Sequence, residues 1–258
     1  MSDGAAGEQD LPWGHLPFKW LANAAMGGKY GAGVLVEVPP GGSYPAYSHD
    51  ESERLVYIYS GVGEQTGSGG PAAVETDDVL IVPPGDWHGF RNTGDGVARI
   101  WIAWTPATDF PFDDYRVAGE GEELRPTGGI IRRKLRAAPM DPSTTPKEKG
   151  FEKLGIIWGG AEGARAITLG WALFEPGGTH HMHRHLRGDE ILHVVRGDGM
   201  HVTKDGERPL VGEGFDYAPA GEWHSMVVKA GQLEGIFVYL GAASLEEAGY
   251  EVDPEPAA

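Results

Sequence analysis

The residues of this 258-residue chain best suited to chemistry lie close together: His183, His185 and Glu190, with His224 further on. Residues i and i+2 of a β-strand face the same side, so His183 and His185 can enter one cavity. A short turn brings Glu190 to the start of the next strand beside them. Turns at Gly197 and at Pro219-x-Gly221 then return the chain, so that His224 closes the site from a later strand. Three imidazoles and one carboxylate suit one divalent transition metal: Fe or Mn is favoured, and Ni, Zn and Cu remain open. An octahedral ion would keep two positions for water, substrate or dioxygen. A surface cluster with incidental metal affinity is the plain alternative for the tract His180–His185. Glu190 and His224 argue against it. His180 and His181 are expected at the mouth of the cavity. His193 should face away from it, and His201 reads as an ordinary strand histidine.

The elements that position these residues occur twice. Sliding the chain by 136 residues lays Pro40-Gly41-Gly42 on Pro176-Gly177-Gly178 and His49 on His185. The same shift lays Gly61 and Gly63 on Gly197 and Gly199. Pro83, Gly85, Trp87 and His88 fall on Pro219, Gly221, Trp223 and His224. The chain is therefore a duplication. Both copies read as short strands rich in Val, Ile, Tyr, Trp and Phe, bounded by Gly, Pro and Asp. In the second copy these are 166–174, 190–196, 200–203, 225–229 and 235–240. Tight turns are expected at 197–199 and 204–206, and a hairpin loop at 67–70. Only 244–250 reads as helical. The expected organisation is a first domain over 11–139, a linker at 140–149, a second domain over 150–241 and an acidic tail over 242–258.

The first copy departs from the second at the positions that matter. Tyr47 stands where the second copy has His183, and Arg54 stands where it has Glu190. Glu53 lies one residue early, which on an alternating strand turns it to the wrong face unless a bulge intervenes. A second metal site from His49, Glu53 and His88 needs that irregularity. Otherwise the copy is structural, or an inward Arg54 clamps a substrate carboxylate. Trp87 and Trp223 should pack outside the cavities. Phe90 and Met226 share a face with His88 and His224. Tyr217, Phe237 and Tyr239 line the second pocket or pack in the core, and a substrate pocket could also draw on Tyr47, Arg54 and Met226.

Composition excludes several classes. There is no cysteine, so disulfides, thiolate metal sites and thiol nucleophiles are absent. The formal charge of −17 argues against nucleic acid or an anionic membrane as partner. The cluster Arg132, Arg133, Lys134 and Arg136 reads as a solvated linker stretch. No apolar run has the length of a membrane span and residues 1–10 lack a secretory pattern, so a cytoplasmic protein is expected. A small-molecule substrate is the expected partner, and a homodimer is possible.

The spacing Gly177-x5-His183-x-His185-x4-Glu190-x6-Gly197, followed by Pro219-x-Gly221-x2-His224, resembles the two signature motifs of the cupin superfamily. The resemblance extends to both copies, so the chain looks like a bicupin. It implies an all-β protein with two tandem jelly-roll barrels, the second holding metal through His183, His185, Glu190 and His224. Glu213 and Asp77 occupy the position where the second motif has Gly, and Val228 replaces its Asn, which the first copy keeps as Asn92. Bicupin enzymes include redox and non-redox members. Dioxygenase-type oxidation of a small oxygenated substrate is the favoured expectation. A metal-dependent decarboxylase, isomerase or lyase is the alternative, and a non-catalytic ligand-binding cupin is the third. In the non-redox case Tyr217, Tyr239 and His181 are the candidate acid–base groups.

Overall fold

The computed structural model describes residues 11–110, 114–135 and 151–254. Strands are numbered in chain order. The described residues fall into two compact units, and Ala24–Tyr30 belongs with the second rather than with the range 11–139. The reason is local: the carboxylate of buried Asp189 accepts the backbone N–H groups of Lys29 (2.8 Å) and Tyr30 (2.6 Å). The linker 140–149 lies outside the described residues.

The first unit is built from two antiparallel sheets. One runs in the order β1 (Phe18–Ala22), β2 (Ala32–Val38), β9 (Ala98–Thr105), β4 (Glu53–Ser60), β7 (Asp78–Val82) and β11 (Ile131–Lys134). The other runs β10 (Tyr115–Val117), β3 (Ser43–His49), β8 (His88–Asn92), β5 (Val62–Gly67) and β6 (Ala72–Glu75). Val34, Val36, Val38, Val56, Ile58, Leu80, Val82, Ile100 and Ile102 form its buried core, each set spaced by two along its strand. The hairpin at 67–70 forms as expected between β5 and β6.

In the second unit one sheet runs β12 (Phe151–Trp158), β13 (Ile167–Phe174), β18 (His224–Leu240), β14 (Thr179–His185) and β19 (Tyr250–Val252). Strand β15 (Asp189–Thr203) pairs with β16 (Gly206–Val211), β17 (Gly214–Ala218) and β18. Together the two units are tandem jelly-roll barrels with no α-helix among the described residues. No helix of the described residues is long and apolar enough to cross a membrane.

Several local expectations need correction. Residues 197–199 are not a tight turn. Instead β15 continues through them with shifted register, which bends one long strand across the barrel. Gly197 makes the bend possible: its φ is +89°, and a Cβ there would lie 2.2 Å from the Gln232 carbonyl oxygen. Of residues 244–250, expected as helical, 244–249 form a bend and turns, closed by Ala248 N–H to Ser244 O (3.0 Å) and ended by Gly249 at φ +72°, and Tyr250 begins β19. Seven residues are too few to nucleate a helix without packing that demands one. The stretch 242–258 is not a free tail over its described part. Ala242, Ala243 and Ala248 are buried, and β19 pairs with β14. Arg132–Lys134 is not a solvated linker but part of β11, where Arg132 and Lys134 pair with buried Asp78.

The two departures at the expected glycine have a common form. Asp77 (φ +72°) and Glu213 (φ +65°) both adopt the left-handed backbone that Gly would supply. The turn therefore keeps its shape with side chains attached. Asn92 ties the first barrel together by donating to the Val38 and Gly96 carbonyls at 2.8 Å each, a link that Val228 cannot make.

Candidate metal centre

The second barrel gathers its donors from three strands. His183 and His185 project from β14, Glu190 from the start of β15 and His224 from the start of β18. Their ligand atoms all lie within 4.8 Å of one another. Among the described residues this is the one group of three or more His, Asp or Glu that converges in this way. The Nε2 atoms of His224 and His185 stand 3.1 and 3.3 Å from Glu190 Oε2. The opposite ring nitrogens point outward. Nδ1 of His183 donates to the His181 carbonyl at 2.7 Å, and Nδ1 of His224 donates to the Glu222 carbonyl at 3.0 Å. At His183 the backbone carbonyl thus fixes the tautomer that leaves Nε2 bare and inward, the arrangement a metal-binding imidazole needs. Burial lowers His224, but its hydrogen bond to Glu190 through Nε2 outweighs that and holds it above the ordinary histidine value until a cation takes the proton's place.

The electrostatics agree with that donor set. Burial, and then His224, His180 and His185, push His183 well below the ordinary histidine range, so it stays neutral. Burial opposes the charge on Glu190, but hydrogen bonds with His185 and His224 outweigh it and hold the carboxyl well below the usual carboxylate range. One carboxylate surrounded by imidazoles is a site prepared for a divalent cation.

The quartet sits in a cavity of about 350 Å³. Leu154, Phe174, Leu192, Leu210, Met226 and Phe237 make its walls largely apolar. Tyr217 and Tyr239 also line it. Burial, and then Glu190, raise the Tyr239 phenol well above its ordinary value, so it stays protonated. Its ring lies 4.4 Å from His185.

The sequence reading placed His180 only at the mouth of this cavity and missed His201, Asp216 and Tyr250 as lining residues. His180 lines it and sits 4.2 Å from His183, because the β14–β18 register shifts between 180 and 183 and breaks the strand alternation. His181 is exposed instead. His201 is not an ordinary strand histidine. It lines the cavity, its ring is 5.5 Å from His224, and its Nδ1 faces the Asp216 carboxylate. Arg208 holds that carboxylate from the other side at 2.5 Å. The register explains it: His201 is paired with Met226, which the sequence placed on the cavity face, and directly opposed residues share a face. Tyr250, from the stretch read as a tail, stacks on His183 at 4.7 Å. His193 does face away, with its ring stacked on Phe215 at 4.5 Å.

The first barrel shows what happens when the donor set changes. His49, Glu53 and His88 do not converge on a metal-type site, since Arg54 occupies the position equivalent to Glu190. Arg54 is fully buried and lies 4.6 Å over the Tyr47 ring. Tyr47 and Arg54 are thus interior to their own barrel and absent from the cavity of the second.

Comparison with known proteins fits this architecture. The cupin domain family matches residues 34–104. Protein SchB of Streptomyces halstedii is 33% identical over 98 residues, which is 38% of this chain and 70% of that protein. The chain belongs to the cupin superfamily and has the bicupin fold. A variant of oxalate decarboxylase OxdC from Bacillus subtilis superposes with a TM-score of 0.66 at 12% identity, covering 91% of this chain and 74% of that one. Protein Ylba of E. coli gives 0.64 at 14% identity, covering 86% and 81%.

Proposed function

We propose that this bicupin is a metal-dependent enzyme of non-redox chemistry, a decarboxylase acting on a small carboxylic acid with an apolar body. His183, His185, Glu190 and His224 would hold one divalent cation, manganese or iron. When bound, that cation supplies Lewis acidity toward carboxylate or carbonyl oxygens of the substrate. The chain's own residues do the rest. The apolar walls take the substrate body and exclude water, and Tyr239 keeps a phenolic proton beside His185.

The observation that carries this reading is the His201–Asp216 pair on the cavity wall, backed by Arg208, together with the protonated Tyr239. Burial, and then Arg208, hold His201 down to about 3, so the imidazole is neutral. With Nδ1–H directed at Asp216, Nε2 is an acceptor. Decarboxylation leaves an electron pair on carbon that must be protonated; the protonated Tyr239 phenol in the same cavity would supply that proton and regain it from solvent, while His201, an acceptor at Nε2, would orient the substrate by accepting a hydrogen bond from it. Fold likeness to oxalate decarboxylase supports the same class by analogy alone. Oxidation by dioxygen, the expectation from ligand type, has no such supporting group.

A second reading, isomerisation by proton shift, is favoured by the neutral His201, which is suited to removing a proton next to a carbonyl. The deciding experiment incubates the metal-loaded protein with a panel of aromatic and aliphatic oxo acids. Oxygen consumption, released CO₂ and solvent deuterium uptake are followed together. CO₂ without oxygen uptake supports decarboxylation. Deuterium exchange without CO₂ supports the proton shift, and stoichiometric oxygen uptake overturns both.

A further inference from the structure

Arg54 places a positive charge in the interior of the first barrel, near the Asp86 carboxylate and the Tyr47 phenol but hydrogen-bonded to no carboxylate. Arg54 Nη1 donates to the Tyr47 carbonyl at 3.2 Å and Nη2 to the Asp86 carbonyl at 2.7 Å. Its Nε–H has no partner, and no carboxylate among the described residues pairs with it. The Asp86 carboxylate is already taken: it accepts the N–H groups of Thr127, Gly128 and Gly129 at 3.0, 2.9 and 2.8 Å. Burying an ion without a partner is among the costliest arrangements a protein can adopt.

The surroundings of Arg54 are also short of acceptors. His49 and His88 are fully buried, and neither ring nitrogen of either one is satisfied. Burial, and then the Arg54 charge, hold them down to about 2 and about 3, so each is neutral and offers one N–H. The hydroxyl of buried Tyr44 is likewise unpartnered. Tyr44 lies 5.9 Å from His88 and 6.2 Å from Tyr47 between ring centroids, and Tyr47 lies 5.4 Å from His49. Four unpartnered donors and one buried positive charge therefore lie within one barrel interior.

We propose that the first barrel binds a small carboxylate anion of formate or acetate size, held by Arg54, His49, His88 and Tyr44. A carboxylate supplies the missing negative charge. Its two oxygens accept about four hydrogen bonds, which matches the four unpartnered donors. The planar guanidinium edge at Nε suits two oxygens better than a spherical halide. Tyr47, Phe90 and Phe110 crowd the interior, so the ligand is small. This barrel is then an anion site, in contrast to the cation-type site of its duplicate.

The test titrates the full-length, metal-loaded protein with sodium formate by calorimetry, with sodium chloride as control at equal ionic strength. Formate can also meet the metal of the second barrel, so wild type is compared with Arg54→Met. One saturable formate site present in wild type and missing from Arg54→Met is the expected result. Tyr44→Phe should keep that site with affinity about tenfold lower, the effect of losing one hydrogen bond to a charged group. It also serves if Arg54→Met does not fold. Equal formate stoichiometry in wild type and Arg54→Met overturns the proposal. So does unchanged affinity in Tyr44→Phe, or competition by chloride at the same concentration.

Discussion

Five equivalent positions face the interior of each barrel, and their contents have opposite electrical character. In the second barrel they hold His180, His183, His185, Glu190 and His224, around a cavity of about 350 Å³. In the first they hold Tyr44, Tyr47, His49, Arg54 and His88, packed against Trp13, Phe90, Trp104 and Phe110. Exchange of one carboxylate for one guanidinium changes what the same scaffold can bind. Around Glu190 the imidazoles face a negative charge that invites a cation. Around Arg54 they face a positive charge that repels one. The difference continues on the neighbouring strands, where His201 and Asp216 are replaced by Gln65 and Leu80 at the equivalent positions. A duplicated barrel thus diverges by changing the sign of its interior while keeping its strands.

The contrast breaks most directly through the metal. Glu190→Ala should lower bound metal by more than the roughly 10- to 100-fold that loss of an outer hydrogen-bond partner costs. Arg54→Met should leave metal content unchanged. Elemental analysis of the two variants beside wild type measures both, and equal loss from the two would end the distinction between the barrels.

Acid response sharpens the contrast next. His49 and His88 titrate near 2 and near 3 in the folded protein, below the unfolded value of 6.5. Between those limits the unfolded chain binds protons that the folded barrel does not. Stability is therefore fully present above about pH 6.5 and falls as pH drops toward the folded values, by roughly 1.4 kcal/mol per pH unit for each histidine. Urea unfolding of wild type and His88→Gln between pH 6.5 and 4 should show a slope smaller by about one proton in the variant. Identical slopes would mean that His88 is already protonated and paired when folded.

Much of the architecture was legible because the duplication was. A single 136-residue shift aligned Gly, Pro, Trp and His positions whose backbone requirements recur, such as Gly177 at φ +73° and Gly41 at φ +71°. The two His on β14 followed from strand alternation, and Glu190 and His224 from the turns that return the chain together with the resemblance to the cupin motifs. What alternation could not give was its own failure. The register shift in β14 that brings His180 inward, and the bend that carries β15 through Gly197, depend on pairing partners far along the chain. Asp216 was missed for a similar reason, since its role appears only once His201 and Arg208 reach it from other strands. The repeat also runs further than its motifs. Tyr115-Arg116-Val117 and Tyr250-Glu251-Val252 pair with equivalent residues of β3 and β14, yet only two identities mark them.

Asp189 offers a smaller effect on the positioning of the site. It precedes Glu190, and its carboxylate accepts three backbone N–H groups, from Lys29, Tyr30 and Ala220. Ala220 belongs to the turn that leads to His224. Asp189→Asn keeps the volume and removes the charge, so it should cost about 2 kcal/mol of stability. Metal affinity should fall by about tenfold, because Glu190 and His224 lose a shared anchor. Competition with a calibrated chelator measures the affinity, and a stability loss with unchanged affinity would make Asp189 purely structural.

The smallest expected effect tests the equivalent aromatic pair. Tyr115 lies 4.9 Å from Phe110 in the first barrel, whereas Tyr250 is 38% exposed and stacks on His183. One ring contact of this kind is worth about 1 kcal/mol, or about fivefold in a rate or affinity. Tyr250→Ala should therefore speed metal release into excess chelator by about fivefold, since the stacked ring restrains His183 at the cavity mouth. Tyr115→Ala should leave that rate unchanged and instead lower the unfolding midpoint. If both variants changed the release rate equally, the two strands would not act each on its own barrel. An unchanged rate in Tyr250→Ala would make its stacking incidental, and His183 would then be held by the His181 carbonyl and its neighbouring imidazoles.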